Sequence, residues 1–115
     1  MLQIQLGPDR QTDPSTEPLG RSRIGYHPGM TEQEAWAAGR GVWVLRVDRA
    51  LEQDEIQVVN LDGIVLAVAE ILGVAKTRTP GRFALDGQLK LGDPRVGKPT
   101  TTPHRSRNSV AYFGG

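Results

Sequence analysis

The chain has 115 residues, of which 37% are apolar, with 14 glycines, 8 prolines and no cysteine. This length allows one domain with a modest core; the absence of cysteine excludes disulfides and thiolate metal sites and fits a reducing compartment. The net charge is only +1, but residues 31–73 carry eight acids and three bases (−5), residues 74–115 carry two acids and eight bases (+6), and residues 1–30 carry three of each.

Such a split points to a polyanionic partner, or to halves that attract each other within the fold or an oligomer. Asp93 is the last acid; Arg95, Lys98, His104, Arg105 and Arg107 follow it. No run approaches the roughly 18 apolar residues that span a membrane. The first residues, from Met1 to Leu6, lack the basic and long apolar regions of a secretory signal. The expectation is a cytoplasmic protein with no membrane partner.

Leu2, Ile4 and Leu6 alternate with polar residues, the period of a half-buried strand able to join a sheet edge in its own fold or a neighbour's. Residues 7–29 contain four prolines and few apolar residues. They read as an irregular arm, so the chain divides into an extended Pro-rich arm at 1–30 and a single α+β domain at 31–115. Thr31 and Glu34 fit a capping box that opens a helix running to about Ala38 and stopping at Gly39, with Trp36 as its apolar anchor. Residues 41–47 are rich in β-branched and aromatic types and read as a strand. Residues 48–55 read as a helical turn or a loop.

Residues 56–60 and 64–71 form a hairpin around Leu61-Asp62-Gly63, where Asp-Gly supplies the positive φ values of a tight turn. The second of these strands is almost wholly apolar and so is expected to be central. Residues 73–81 read as a loop, 82–85 as a short strand before an Asp86-Gly87 turn, 88–108 as a loop and 109–113 as the last strand. The expected fold is α+β: one N-terminal helix on a twisted antiparallel sheet of about five strands, which a chain of this size often closes into a partial barrel.

The chemistry of most enzymes is missing. His27 and His104 lie in Pro-rich stretches without ligand spacing. Gly97-Lys98-Pro99-Thr100 lacks the upstream glycines of a phosphate loop, and Pro99 removes an amide. No cysteine nucleophile exists, and nothing places acid and histidine beside a serine. Carboxylates at Asp48, Asp54 and Glu55 leave a hydrolase as a third reading, behind two non-enzymatic ones. No cofactor and no metal is expected.

Two constellations fit binding. Arg40-Gly41-Val42-Trp43 joins helix to strand: Arg40 either presents a guanidinium to phosphate or offsets the helix dipole, and Trp43 reads first as a core residue. The stretch from Gly97 to Asn108 interleaves Lys98, Arg105 and Arg107 with Thr100, Thr101, Thr102 and Ser106, the residue types used to position phosphate. Asn108 and Tyr112 offer polar groups beside that stretch.

Glu34-Ala35-Trp36-Ala37-Ala38-Gly39-Arg40-Gly41-Val42-Trp43, Asp62-Gly63-Ile64-Val65, Gly81-Arg82-Phe83, Val96-Gly97-Lys98 and Asn108-Ser109-Val110-Ala111-Tyr112-Phe113 occur in this order. The order resembles a small bacterial accessory domain with an Arg-Gly-Trp-Trp-type start, an Asp-Gly-Val-Val hairpin and an Asn-Pro-Val-x-Tyr ending, sometimes found beside nuclease domains of the GIY-YIG type. The likeness spans residues 31–113. Val42 replaces a second Trp and Ser109 replaces Pro, and no nuclease residue carries over. By analogy the resemblance implies a barrel similar to PUA-like nucleic-acid readers.

These features set two expectations. The first is a non-enzymatic module that recognises nucleic acid or a nucleotide-like anion, with Arg40, Lys98, Arg105 and Arg107 on phosphate and Asn108 and Tyr112 setting selectivity. The alternative is an assembly subunit, of a phage or a compartment, that self-associates into a homo-oligomer through its acidic and basic halves and its N-terminal arm.

Overall fold

A computed structural model describes residues 1–104 and 108–113. Along the chain lie β1 (Leu2–Gln5), β2 (Arg10–Gln11), β3 (Arg23–Ile24), α1 (Glu32–Gly39), β4 (Gly41–Trp43), α2 (Val47–Leu51), β5 (Glu55–Val59), β6 (Val65–Lys76), β7 (Phe83–Leu89) and β8 (Val110–Tyr112). Six strands form one sheet in the order β4-β7-β6-β5-β1-β8, curled into a half-barrel, while β2 and β3 form a separate ribbon. The α+β class is as expected, with more strands and a second short helix.

The alternation at the start of the chain is used inside this sheet. β1 runs parallel to β5, with Leu2 opposite Ile56 and Ile4 opposite Val58, and antiparallel to β8 on its other side. The sheet is therefore not wholly antiparallel, and the expected boundary at residue 30 does not divide the fold. Leu2, Ile4, Leu6, Ile56, Val58, Ala67 and Leu85 are buried on the inner face together with Ala35 and Ala38 of α1 and Ala50 of α2. The remainder of the expected arm packs back on the domain. The Tyr26 amide donates to the Gly7 carbonyl (2.8 Å) and the Thr12 amide to the Ser22 carbonyl (2.9 Å).

The capping box forms as the sequence implies: the Thr31 hydroxyl accepts from the Glu34 amide (3.1 Å) and the Glu34 carboxylate from the Thr31 amide (2.9 Å). The hairpin also forms, with β5 antiparallel to β6. Its turn is built by the buried Asn60, whose Oδ1 accepts from the Asp62 and Ile64 amides at 3.0 Å each, and by Gly63 at φ 77°. The strand expected over 41–47 is shorter: β4 ends at Trp43, and α2 begins at Val47.

Two local readings change. β6 continues to Lys76 through an irregularity between Ile71 and Gly73, so the expected loop at 73–81 begins later. Asp86-Gly87 is not a turn: both residues lie within β7, paired with Gly73 and Ile71 of β6. Gly87 is required there by proximity. A Cβ would sit 2.5 Å from the Glu70 carbonyl oxygen and 3.1 Å from the Trp36 ring. α1 thus packs its indole onto a strand position that has no side chain.

Gly87→Ala is expected to destabilise the protein by about 1–3 kcal/mol through overpacking. Gly7→Ala, where nothing lies within 4 Å, should change stability by less than about 0.5 kcal/mol. Urea denaturation midpoints measure both; equal midpoints would contradict the packing described.

Candidate functional site

Side chains of a strand alternate between faces. With Leu2, Ile4, Ile56 and Val58 turned inward, the outer face of the sheet carries Gln3 on β1, Glu55, Gln57 and Val59 on β5, and Val68 and Glu70 on β6. The C-terminal segment 90–104 crosses this face as a strap, and each stretch of it meets a different outer side chain.

The strap begins at an ionic cluster. The Lys90 ammonium meets Glu55 Oε2 at 2.7 Å, and the Arg95 guanidinium forks onto the same carboxylate at 3.0 and 2.9 Å. Arg95 also binds Asp93 through Nε and Nη2, both at 2.9 Å. Bonds from Arg95 and then Lys90 hold the Glu55 carboxyl down at about 2, and bonds from Arg95 hold Asp93 down at about 2 as well. The same bonds push the Arg95 guanidinium further up. Two cations and two carboxylates cancel here, so Lys90 and Arg95 add no net charge to the outer face.

Next, Val96 packs on a small apolar cluster of Val59, Val65 and Val68. Main-chain bonds then run from Gly97 N–H to the Val65 carbonyl (2.8 Å), from Val65 N–H to the Lys98 carbonyl (2.9 Å) and from Thr100 N–H to the Gly63 carbonyl (2.8 Å). Beyond them lies a polar network. The Thr100 hydroxyl donates to Gln57 Oε1 (2.8 Å), and Gln3 Nε2 donates to the Thr102 carbonyl (2.8 Å). His104 places one ring nitrogen 2.8 Å from Gln3 Oε1 and the other 2.7 Å from the Asn108 carbonyl. Gln3 is fully buried and Gln57 nearly so. A buried amide left unpaired is destabilising, so these two glutamines tie the strap to the sheet.

The residues expected to form one anion site are dispersed. Lys98 is exposed on the strap, and Asn108 follows it, joined through His104 and Gln3. Arg40 is the C-cap of α1, and its carbonyl accepts from the Leu85 amide (2.6 Å). Leu85 pairs with Val74, whereas Lys98 bonds to Val65, nine residues away on β6; at strand rise that is a separation of about 30 Å. Arg40 and Lys98 are therefore held at distant positions along β6. The Tyr112 hydroxyl accepts from the Arg46 amide (3.0 Å), and the Arg49 guanidinium lies 4.3 Å from its ring centroid. Tyr112 thus joins the outermost strand β8 to the segment after β4, at the other edge of the sheet. Arg105 and Arg107 lie outside the described residues.

Of the carboxylates considered for hydrolysis, both Glu55 oxygens are engaged by cations, and Asp48 lies 3.5 Å from Arg46. Among the described residues, no group of three or more histidine and carboxylate side chains is placed to hold a metal ion, and no helix is long and apolar enough to cross a membrane. Sequence reading missed the anchors Gln3 and Gln57. Their alternation with apolar residues marks an outer face, but nothing local distinguishes a covered outer face from a wet one.

The depressed carboxyls fix the sign of a pH effect. Native Glu55 binds its proton more weakly than in the unfolded chain, so its contribution is fully present above the ordinary value of 4.5 and is lost as pH falls toward about 2. The melting temperature should fall through that window. Glu55→Gln should lower it at neutral pH and flatten the acid limb, because Lys90 and Arg95 lose their counter-charge; an unchanged limb in circular-dichroism melts would remove Glu55 from this role. Comparison of the chain with family models, with curated proteins and with solved structures finds no match.

Proposed function

We propose that the protein is a non-enzymatic binding module that takes nucleic acid, or a nucleotide-like anion, on its C-terminal basic segment, in a partial barrel resembling PUA-like readers. One observation carries the reading: residues 90–104 of the segment are fastened along the outer sheet face, and the segment's only acid, Asp93, is neutralised by Arg95. Cations on a fastened segment lose less freedom on binding than cations on a free tail. Lys98 is exposed there, and Arg105 and Arg107 follow it in sequence. In this reading those three contact phosphate and Asn108 contributes selectivity. Tyr112 holds β8, and Arg40 lies outside the footprint.

The assembly alternative draws less support. Part of its acid–base complementarity is met inside one chain, where Glu55 of the acidic half pairs with Lys90 and Arg95 of the basic half. The arm likewise bonds to its own domain, with the Arg78 guanidinium donating to the Glu17 carbonyl (3.3 Å).

Fluorescence anisotropy with labelled oligonucleotides at 50 and 200 mM salt tests the proposal. Three phosphate contacts correspond to a slope of log K against log salt of about −2.7 on duplex DNA and about −2 on single strands. Replacing Lys98, Arg105 and Arg107 together by alanine should abolish that slope, and Arg40→Ala should leave it unchanged. Absence of binding to DNA and RNA at 50 mM salt would overturn the reading.

A further inference from the structure

The half-barrel leaves a cleft of about 660 Å³ between β4, the ends of β1 and β8, and the folded-back arm. Its volume lies in the range of small-molecule sites. The walls are largely apolar, with Leu6, Pro8, Ile24 and Trp43, and three cations line it, Arg10 from β2, Arg21 from the arm and Arg82 from the turn before β7. The Trp43 ring is fixed in place because its Nε1 donates to the Gly39 carbonyl (2.7 Å).

The electrostatics of the cleft select for an anion. Its two acids are already neutralised. Asp9 receives two bonds from Arg23, at 2.7 and 2.6 Å, and Glu17 receives Arg21 Nε at 2.8 Å and Nη2 at 3.1 Å. Arg21 is itself saturated, since it also donates to the carbonyls of Ala37, Ala38 and Gly41 and so builds the wall rather than serving a ligand. Arg10 and Arg82 are exposed and, among the described residues, have no carboxylate partner. Two uncompensated guanidinium groups suit the forked geometry of phosphate or carboxylate. The fixed indole and the apolar lining suit a flat apolar body.

We propose that this cleft is a binding site for a small molecule that carries a phosphate or carboxylate on a flat, apolar body. Among the described residues the cleft meets the C-terminal segment at Ser109, whereas neither Lys98 nor Asn108 lines it.

The test is a two-dimensional ¹H–¹⁵N NMR titration with four probes: adenosine 5′-monophosphate, indole-3-acetate, adenosine and inorganic phosphate. At least one of the two anionic aromatics should shift the Trp43 indole N–H and the Arg10 and Thr79 amides, at least about tenfold more tightly than adenosine or phosphate alone. Binding of only the nucleotide identifies a phosphate ester as the ligand, binding of only indole-3-acetate identifies an aromatic carboxylate, and binding of both leaves the shared chemistry. Arg10→Gln and Arg82→Gln should each weaken binding about tenfold with the spectrum otherwise unchanged, as neither side chain supports the fold. The proposal is overturned if no probe moves the Trp43 resonance at millimolar concentration. It is equally overturned if the shifts fall on Lys98 and Thr101 while the cleft stays still. That second outcome would leave the C-terminal reading intact, whereas cleft binding without oligonucleotide binding would remove only that reading.

Discussion

The parallel pairing of β1 with β5 is the contact on which the rest of the structure depends. β1 fills the gap between β5 and β8, so without it the last strand has no neighbour and the sheet ends at β5. Leu2, Ile4 and Leu6 are all essentially inaccessible to solvent, and burying three such side chains contributes on the order of 5 kcal/mol or more. The same short strand serves both faces. Inward it supplies the core, outward it offers Gln3 to the strap, and just past its end Leu6 lines the cleft.

Charge and burial cooperate on the outer face. A sheet face bearing Glu55, Gln57 and Gln3 would ordinarily be left to water. Here it is covered, and each polar group has a named partner on the strap. Arg95 satisfies Glu55, Thr100 satisfies Gln57, and Thr102 with His104 satisfies Gln3. Such a network has little tolerance for a shifted register, because an unpaired buried amide is destabilising. It therefore fixes where the C-terminal segment lies as much as how strongly it adheres. The charge asymmetry of the chain is partly consumed in this way. Among the described residues, the cations of the basic half left without a carboxylate partner are Lys76 at the end of β6, Arg78 after it, Arg82 beside the cleft and Lys98 on the strap.

The incomplete closure of the barrel has a consequence for both proposed surfaces. The two edges of the sheet approach one another, and Tyr112 with Arg46 and Arg49 bridges them in one place. Elsewhere the N-terminal arm packs beside the opening without pairing to the sheet edge, with Arg21 pinning it to the end of α1 and to β4. A chain that closed fully would have no cleft, and a chain without the arm would have an open apolar seam. The arm leaves a bounded hollow with cations at its margin.

Elements governed by neighbours in sequence were legible without coordinates. Thr31 and Glu34 specify a helix start because the capping box needs only four consecutive residues. The β5–β6 hairpin follows from two apolar runs around Asp62-Gly63, since a tight turn brings adjacent segments together at little entropic penalty. Elements governed by distant partners were not legible. Gly87 reads as a turn residue until Trp36, some fifty positions earlier, is seen lying on it. Gln3 reads as a wet strand residue until Thr102 and His104 cover it, and Arg95 reads as a tail cation until Glu55 takes it. The amino-acid sequence by itself determined the α+β class, the first helix, the central hairpin and the surplus of positive charge after Asp93. Only the tertiary structure decided that the chain's first strand sits inside the sheet, that its basic half is part strap and part neutralised cluster, and that a cleft opens beside Trp43. The reason is that periodicity and turn chemistry act over a few residues, whereas burial and ion pairing depend on contacts between segments that the sequence holds far apart.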